Sequence, residues 1–485
     1  MNLTNFTISE IHLGLKEKKF SARELCHSYL TQIKKEDKKI LAFLTVSEEL
    51  ALSQAEKIDE LISKNRRISL LAGVPATIKD NILVEDIICT AGSKILENYI
   101  ASYDATVINK LKKQGVVILG KTNLDEFAMG SSTENSAFKT TKNPLDLSRV
   151  PGGSSGGSTA SVAANMAVYS LGSDTGGSIR LPACFCGVVG LKPTYGAVSR
   201  YGLISLASSL DQIGPITKTV EDAKIVFDAI KGRDEFDSTS VEVGEKQKMK
   251  SEKFNFKNLK IGIPQEYFIK GIDPEIEKVI KKAIKKYEDL GAKIVEISLP
   301  HTKYALPAYY IINPSEASAN LARYDGIRFG YSIAKPQINT DKKQMNTDAL
   351  LDYYLRARWE GFGEEVKRRI MLGTYILSAG YYEDYYLRAQ KVKSLIKQDF
   401  IKAFKKIDFI ITPVSPSLPF KIGERKDPLS MYLNDIYTVS INLAGLPALS
   451  LPVGKIGKLS VGLQIIGKWF EEDKIFEIGK IIENK

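Results

Sequence analysis

Histidine is scarce in this 485-residue chain: only His12, His27 and His301 occur, so the usual source of a general base is nearly missing. Cysteine is also sparse. Cys26, Cys89, Cys184 and Cys186 are too few and too scattered for a disulfide framework, and they read as reduced core residues of a cytoplasmic protein. A Cys-x-Cys pair alone does not make a zinc site. No apolar run approaches the roughly 18 residues of a membrane span. The opening MNLTNFTISEIHLG has neither a basic nor an apolar leader segment. These absences predict a soluble, cytoplasmic, unbridged chain. There are no internal repeats. The formal net charge of +11 can steer an acidic partner such as RNA. No tight Lys/Arg cluster interleaved with aromatics appears, however, so scattered lysines on helix faces are the plainer account.

What is present alternates between helix and strand. Ser21-Ala-Arg-Glu24 is a capping box opening an amphipathic helix through about Lys35. A second helix is expected over 47–63. Gly73 to Ile78 reads as a buried strand, 105–114 as a helix stopped by Gly115, and 116–119 as a strand. Further on, strands are expected at 259–263, 293–297, 409–412, 448–453 and 460–466. Helices are expected at 274–290, around 303–323, 345–370 and 379–405, and at the end of the chain. The fold class is therefore α/β: an α/β/α sandwich with a large mixed, mostly parallel central sheet. We expect one domain over 1–485. Within it we distinguish an N-terminal helical segment (1–65), a central core (66–230), a polar linker or surface excursion (232–255) and a C-terminal half (256–485).

Three segments carry candidate chemistry. Two are Gly/Ser loops, Gly152-Gly-Ser-Ser-Gly-Gly-Ser158 and Gly172-Ser-Asp-Thr-Gly-Gly-Ser-Ile-Arg180. The third is Val74-Pro-Ala-Thr-Ile-Lys-Asp80. Apolar runs at 168–171 and 183–189 argue against a flexible tether between the loops. Glycines let backbone N–H groups converge on one point, as an oxyanion hole requires. Gly152-x-Ser154-x-Gly156 matches a nucleophile elbow, but Pro151 stands where a strand should lead in, and only His301 lies downstream. Neither loop has the Gly-Lys-Ser/Thr ending of a phosphate-binding loop. Lys79 ends an apolar run that would carry it inside. Burial favours its neutral amine, and a neutral amine can deprotonate a serine.

These segments together resemble the amidase signature family over roughly residues 20–480. The resemblance implies a Ser–cis-Ser–Lys triad, with Ser178 as nucleophile, Ser154 as bridging serine in a cis peptide bond and Lys79 as base. It also implies an oxyanion hole from the N–H groups of Thr175, Gly176, Gly177 and Ser178. Lys121 to Asn135, Ser208 to Pro215, Glu360 to Arg369 and Asp427 to Tyr432 are most similar to the tRNA-dependent amidotransferase branch of that family. In that branch a tyrosine, an arginine and an aspartate hold glutamine, and the positions taken as matching are Tyr309, Arg358 and Asp427. An arginine fork suits an α-carboxylate, and an aspartate suits an α-ammonium. The resemblance further implies B and C partner subunits, with ATP and Mg2+ on the B subunit, misacylated Glu-tRNA(Gln) or Asp-tRNA(Asn) as acceptor, and no metal or cofactor in this chain. Leu181 and Ala197 depart from residues common in the family. A free-standing small-amide amidase and a non-catalytic RNA-binding scaffold are the rival readings.

Overall fold

The structure is a computed structural model, which describes residues 3–243, 257, 259–268, 271–331, 347–425 and 427–483. Among the described residues, eleven strands form one sheet. They are β1 (Phe43–Val46), β2 (Pro75–Lys79), β3 (Val117–Thr122), β4 (Tyr169–Asp174), β5 (Val189–Lys192), β6 (Gln212–Thr217), β7 (Lys260–Pro264), β8 (Lys293–Ile297), β9 (Phe409–Pro413), β10 (Ala448–Ile456) and β11 (Leu459–Ile466). Their spatial order is β1-β3-β2-β4-β6-β5-β10-β11-β9-β7-β8.

The sheet is mixed, but parallel pairing does not predominate. Six of its ten pairings are antiparallel. Parallel order is confined to β3-β2-β4 and β9-β7-β8. The middle is antiparallel, partly because a tight turn joins β10 directly to β11 without a crossover helix.

Strand alternation builds two cores, one on each face. Phe409, Ile411 and Ile465 enter one core, while Ile410 and Ile466 enter the other. The first is covered by helices that include Ala22–Ile40, Glu48–Ser63, Val220–Ile230 and Pro274–Asp289. The second lies under Ala305–Leu321, Glu364–Ile376, Arg388–Ala403 and Val439–Ala444. The capping box is present: Ser21 Oγ accepts from Glu24 N at 3.0 Å, and Glu24 Oε2 accepts from Ser21 N at 2.7 Å. Leu25, Cys26, Tyr29, Leu30 and Ile33 then form the buried stripe of that helix.

Several boundaries differ from expectation. The pattern read as one helix over 345–370 is two helices, Thr347–Gly361 and Glu364–Ile376, broken at Phe362-Gly363; residues 345 and 346 lie outside the described ones. The glycine-dense Gly156–Ala163 is a helix, and Arg180–Cys186 is a short helix where an apolar core run was read. Asp234 and Asp237 bond to Thr106, Ser199 and Arg200, which pins the start of the polar stretch onto the domain. The rest of that stretch, 244–255, lies outside the described residues. All four cysteines are buried and unbridged. Among the described residues, no helix is long and apolar enough to cross a membrane.

Candidate active site

β2 and β4 are adjacent and parallel, with Ile78 level with Leu171. Their carboxyl ends therefore deliver Lys79 and Ser173-Asp174 to the same place, where open α/β sheets commonly bind ligands. Lys79 is fully buried. Its Nζ lies 2.7 Å from Ser154 Oγ, 2.9 Å from Ser173 Oγ and 3.3 Å from Ser173 O. Asn81 Nδ2 donates to the same Ser173 hydroxyl at 3.0 Å. Burial pulls the Lys79 ammonium down to about 7, against the opposing pull of Asp125, Asp174 and Asp211.

The Gly153-Ser154 peptide is cis. Space around it is tight: a Cβ on Gly153 would lie 2.1 Å from Asp125 Oδ2. The Asp125 carboxylate accepts from the Thr133 and Asn135 N–H groups, and its own N–H donates to Ser154 O. Burial raises Asp125 to about 6. The two serine loops are joined directly, since Ser155 N donates to Ser178 O at 3.1 Å.

The loop after β4 is shaped by a buried ion pair. Asp174 meets Arg180 Nε at 3.0 Å, and both side chains are fully buried. Arg180 also donates to Thr438 O, Gln464 Oε1 and Asn442 Oδ1. Burial pushes Asp174 upward, but Arg180, Lys192 and Asn442 together hold it at about 2. Asp174 Oδ1 accepts from Gly177 N at 2.9 Å. Of the four N–H groups expected to form the oxyanion hole, that of Gly177 is therefore engaged within the protein. Those of Thr175, Gly176 and Ser178 donate to no acceptor among the described residues. Ser178 is 7% exposed.

Of the residues expected to hold a substrate, only Tyr309 reaches this loop. It lies on Ala305–Leu321, and a Cβ on Gly176 would be 2.6 Å from its Oη. Arg358 is turned elsewhere: its guanidinium donates to the Leu321 and Tyr324 carbonyls at 2.9 and 3.0 Å and lies over Tyr354 and Phe362. Asp427 is exposed and caps Pro428–Tyr432, accepting from Ser430 N at 2.8 Å. The break at Phe362-Gly363 explains the difference, because it separates Arg358 from the helix that faces Tyr309.

Two residues missed in the sequence stand there instead. Arg369, buried on Glu364–Ile376, donates to Asn313 Oδ1 at 3.1 Å and pairs with Glu365 at 2.8 Å. Asn313 in turn donates to Tyr309 Oη at 3.2 Å. Asp435 accepts from Ser131 Oγ at 2.9 Å and Tyr310 Oη at 3.2 Å. The Thr438 hydroxyl bridges the carbonyls of Gly176 and Asp435. Burial pushes the Asp435 carboxyl up to about 7, with Arg369 opposing. Arg369 is one of several arginines in its segment, and nothing in the local sequence singled it out.

Other sequence candidates fall outside this cluster. His301 pairs with Asp399 at 3.0 Å, away from both serine loops. Leu181 and Ala197 are buried in the core. No group of three or more His, Cys, Asp or Glu suited to a metal ion occurs among the described residues. The arrangement can move a proton from a serine to an uncharged amine inside a water-poor loop, with free N–H donors beside a second serine.

The profile of the family described as Amidase matches residues 24–476. The chain is 58% identical over 484 residues to the A subunit of glutamyl-tRNA(Gln) amidotransferase from Caldanaerobacter subterraneus subsp. tengcongensis, covering 100% of this chain and 97% of the relative. It is 56% identical, with the same coverage, to the protein of that name from Thermoanaerobacter pseudethanolicus. Among solved structures, the glutamyl-tRNA(Gln) amidotransferase A subunit of Thermotoga maritima superposes with a TM-score of 0.80 at 44% identity, covering 100% of this chain and 96% of the other.

Proposed function

The chain belongs to the amidase family, and from that premise we propose that it is the glutamine-hydrolysing subunit of a glutamyl-tRNA(Gln) amidotransferase. The observation that carries the reading is the 2.7 Å bond from a fully buried, pKa-depressed Lys79 to Ser154. In the reaction, neutral Lys79 takes the proton of Ser154, which takes that of Ser178. Ser178 Oγ attacks the side-chain amide carbon of glutamine. The resulting oxyanion is held by the N–H groups of Thr175, Gly176 and Ser178. The proton returns through Ser154 to the leaving nitrogen, the C–N bond breaks, and ammonia departs. Water then attacks the acyl-enzyme with the same relay as base, releasing glutamate and restoring Ser178.

For the substrate's main chain, we assign Arg369 to the α-carboxylate and Asp435 to the α-ammonium, with Tyr309 closing over the glycine loop. They replace Arg358 and Asp427, whose polar groups are engaged elsewhere. A substrate ammonium beside Asp435 would favour its ionised form. Ammonia would pass to a B subunit that uses ATP and Mg2+ to activate and amidate Glu-tRNA(Gln), with a C subunit joining the two. Asp-tRNA(Asn) is a second acceptor open to the same chemistry.

The test is co-purification with the partner subunits, followed by assay of glutamine-dependent amidation of Glu-tRNA(Gln) by wild type and Ser178→Ala. We expect amidation with glutamine to be lost in the variant, while amidation with added ammonia survives. Hydrolysis of simple amides without glutamine selectivity and without tRNA amidation would refute the proposal in favour of a free-standing amidase.

A further inference from the structure

Seven cationic side chains that are dispersed in sequence meet around two adjoining depressions on the helical face of the N-terminal segment. One depression, of about 650 Å3, is lined by Lys16, Lys18, Arg66 and Arg67. The other, of about 510 Å3, is lined by Lys57, Arg67, Lys112 and Lys113. Arg67, Ile68 and Ser69 line both, so the loop carrying Arg66 and Arg67 forms the divide between them. No carboxylate lines either depression among the described residues. Among the described residues, only Lys112 of the seven cations is ion-paired there, with Asp104 at 2.7 Å. For comparison, the whole chain carries a net charge of +11.

Helix ends do not account for this charge. Ile8–Lys16, Glu48–Ser63 and Thr106–Lys113 all end at this surface. Each helix C-terminus contributes about half a negative charge, so three contribute about −1.5. Against seven cations, most of the positive potential is left unbalanced. The two depressions adjoin across that loop and together exceed the volume of a single small ligand site. Their concavity suits a convex, phosphate-bearing polymer better than a flat bilayer.

We propose that this groove binds the phosphodiester backbone of RNA, contacting it outside the amidase centre. The basis is charge and shape alone, so the inference stands independently of the amidase reading. The contacts are to phosphates and are therefore sequence-tolerant and salt-dependent.

The test uses the purified full chain, with an unmodified tRNA transcript as probe and fluorescence anisotropy across a salt series. In the triple variant Arg66→Ala, Arg67→Ala, Lys113→Ala, all three positions are exposed. We expect at least tenfold weaker binding at low salt. The slope of log K against log salt should become shallower by about 2, at roughly 0.7 to 0.9 per lost phosphate contact. Arg66→Lys with Arg67→Lys should bind nearly as wild type. Melting temperatures within a degree or two confirm that the variants fold. Equal binding and equal slope in wild type and triple variant would overturn the proposal. So would wild-type binding to phosphatidylserine vesicles or an acidic peptide with none to tRNA.

Discussion

If neutral Lys79 is the base, the rate of glutamine hydrolysis should follow its deprotonation. The amine is held at about 7 instead of 10.5. That depression corresponds to about 5 kcal/mol, at 1.36 kcal/mol per tenfold. With a midpoint near 7, the neutral fraction is ~90% at pH 8 and ~10% at pH 6; an ordinary lysine would be ~0.03% neutral at pH 7. The sign is fixed by the chemistry: the protonated form cannot accept a proton, so kcat/KM falls as pH drops through about 7 and plateaus above it. The acid limb should be shallower than tenfold per pH unit below about 6. Asp125 and Asp211, both raised to about 6 by burial, are protonated there and stop holding the proton on Lys79. Removing one of these charges should move the midpoint. Asp211→Asn, which keeps the shape of the group accepting from Thr175 Oγ1 and the Leu206 and Ala207 N–H groups, should shift it to lower pH. Lys79→Ala should lower kcat by about 10²–10⁴-fold and flatten the profile. The assay is ammonia release from glutamine between pH 5.5 and 9.5. A flat wild-type profile across that range, or a Lys79→Ala protein with undiminished kcat, would refute the base assignment.

Three further outcomes follow from named contacts. Arg369→Ala should raise KM for glutamine by about 10- to 100-fold, the worth of a charge-assisted hydrogen bond, whereas Arg358→Ala should leave it near wild type; steady-state kinetics on glutamine separate the two. Asp174→Asn leaves Arg180 buried without its counter-charge and should cost about 3–5 kcal/mol of stability, read as a lower midpoint in urea unfolding. Ser21→Ala removes one half of the capping box and should cost about 1 kcal/mol, with the urea midpoint lowered, the slope unchanged and glutamine hydrolysis intact.

The parts of the fold legible in the sequence are those set by local patterning. The capped helix at Ser21 and the buried strand ending in Lys79 each follow from a few adjacent residues. Gly156–Ala163 was not legible. Each glycine costs a helix up to about 1 kcal/mol relative to alanine, so propensity argues for a loop. Packing overrides it, because a Cβ at Gly157 would lie 2.5 Å from the carbonyls of Ala42 and Asn123. Strand direction in the middle of the sheet was equally hidden, since it depends on which distant segments pair. The arginine proposed to hold substrate was missed for a geometric reason. Arg358 and Arg369 sit in one apparently continuous helical pattern, and only the break at Phe362-Gly363 decides which of them faces Tyr309.

In the proposed mechanism the same buried charges would set both the base and the oxyanion donors, and Asp174 links the two. It lies close enough to Lys79 to favour the ammonium form. Alone, it would work against a neutral base. Arg180 offsets that effect by pairing with it inside the protein, where attraction is weakly screened. The pair also fixes the loop: Asp174 holds the N–H groups of Gly177 and Ile179, while Arg180 reaches Thr438 O, whose own hydroxyl holds Gly176 O. With the Gly177 N–H turned inward, the proposed substrate oxygen would be met by the N–H groups of its neighbours. Lys192 fits the same balance. It is buried, and burial together with Arg180 pulls it down to about 7. The Arg180 guanidinium is thus engaged by buried partners on every side. It answers the aspartate, shapes the donor loop, and leaves Lys79 as the amine that faces a serine hydroxyl.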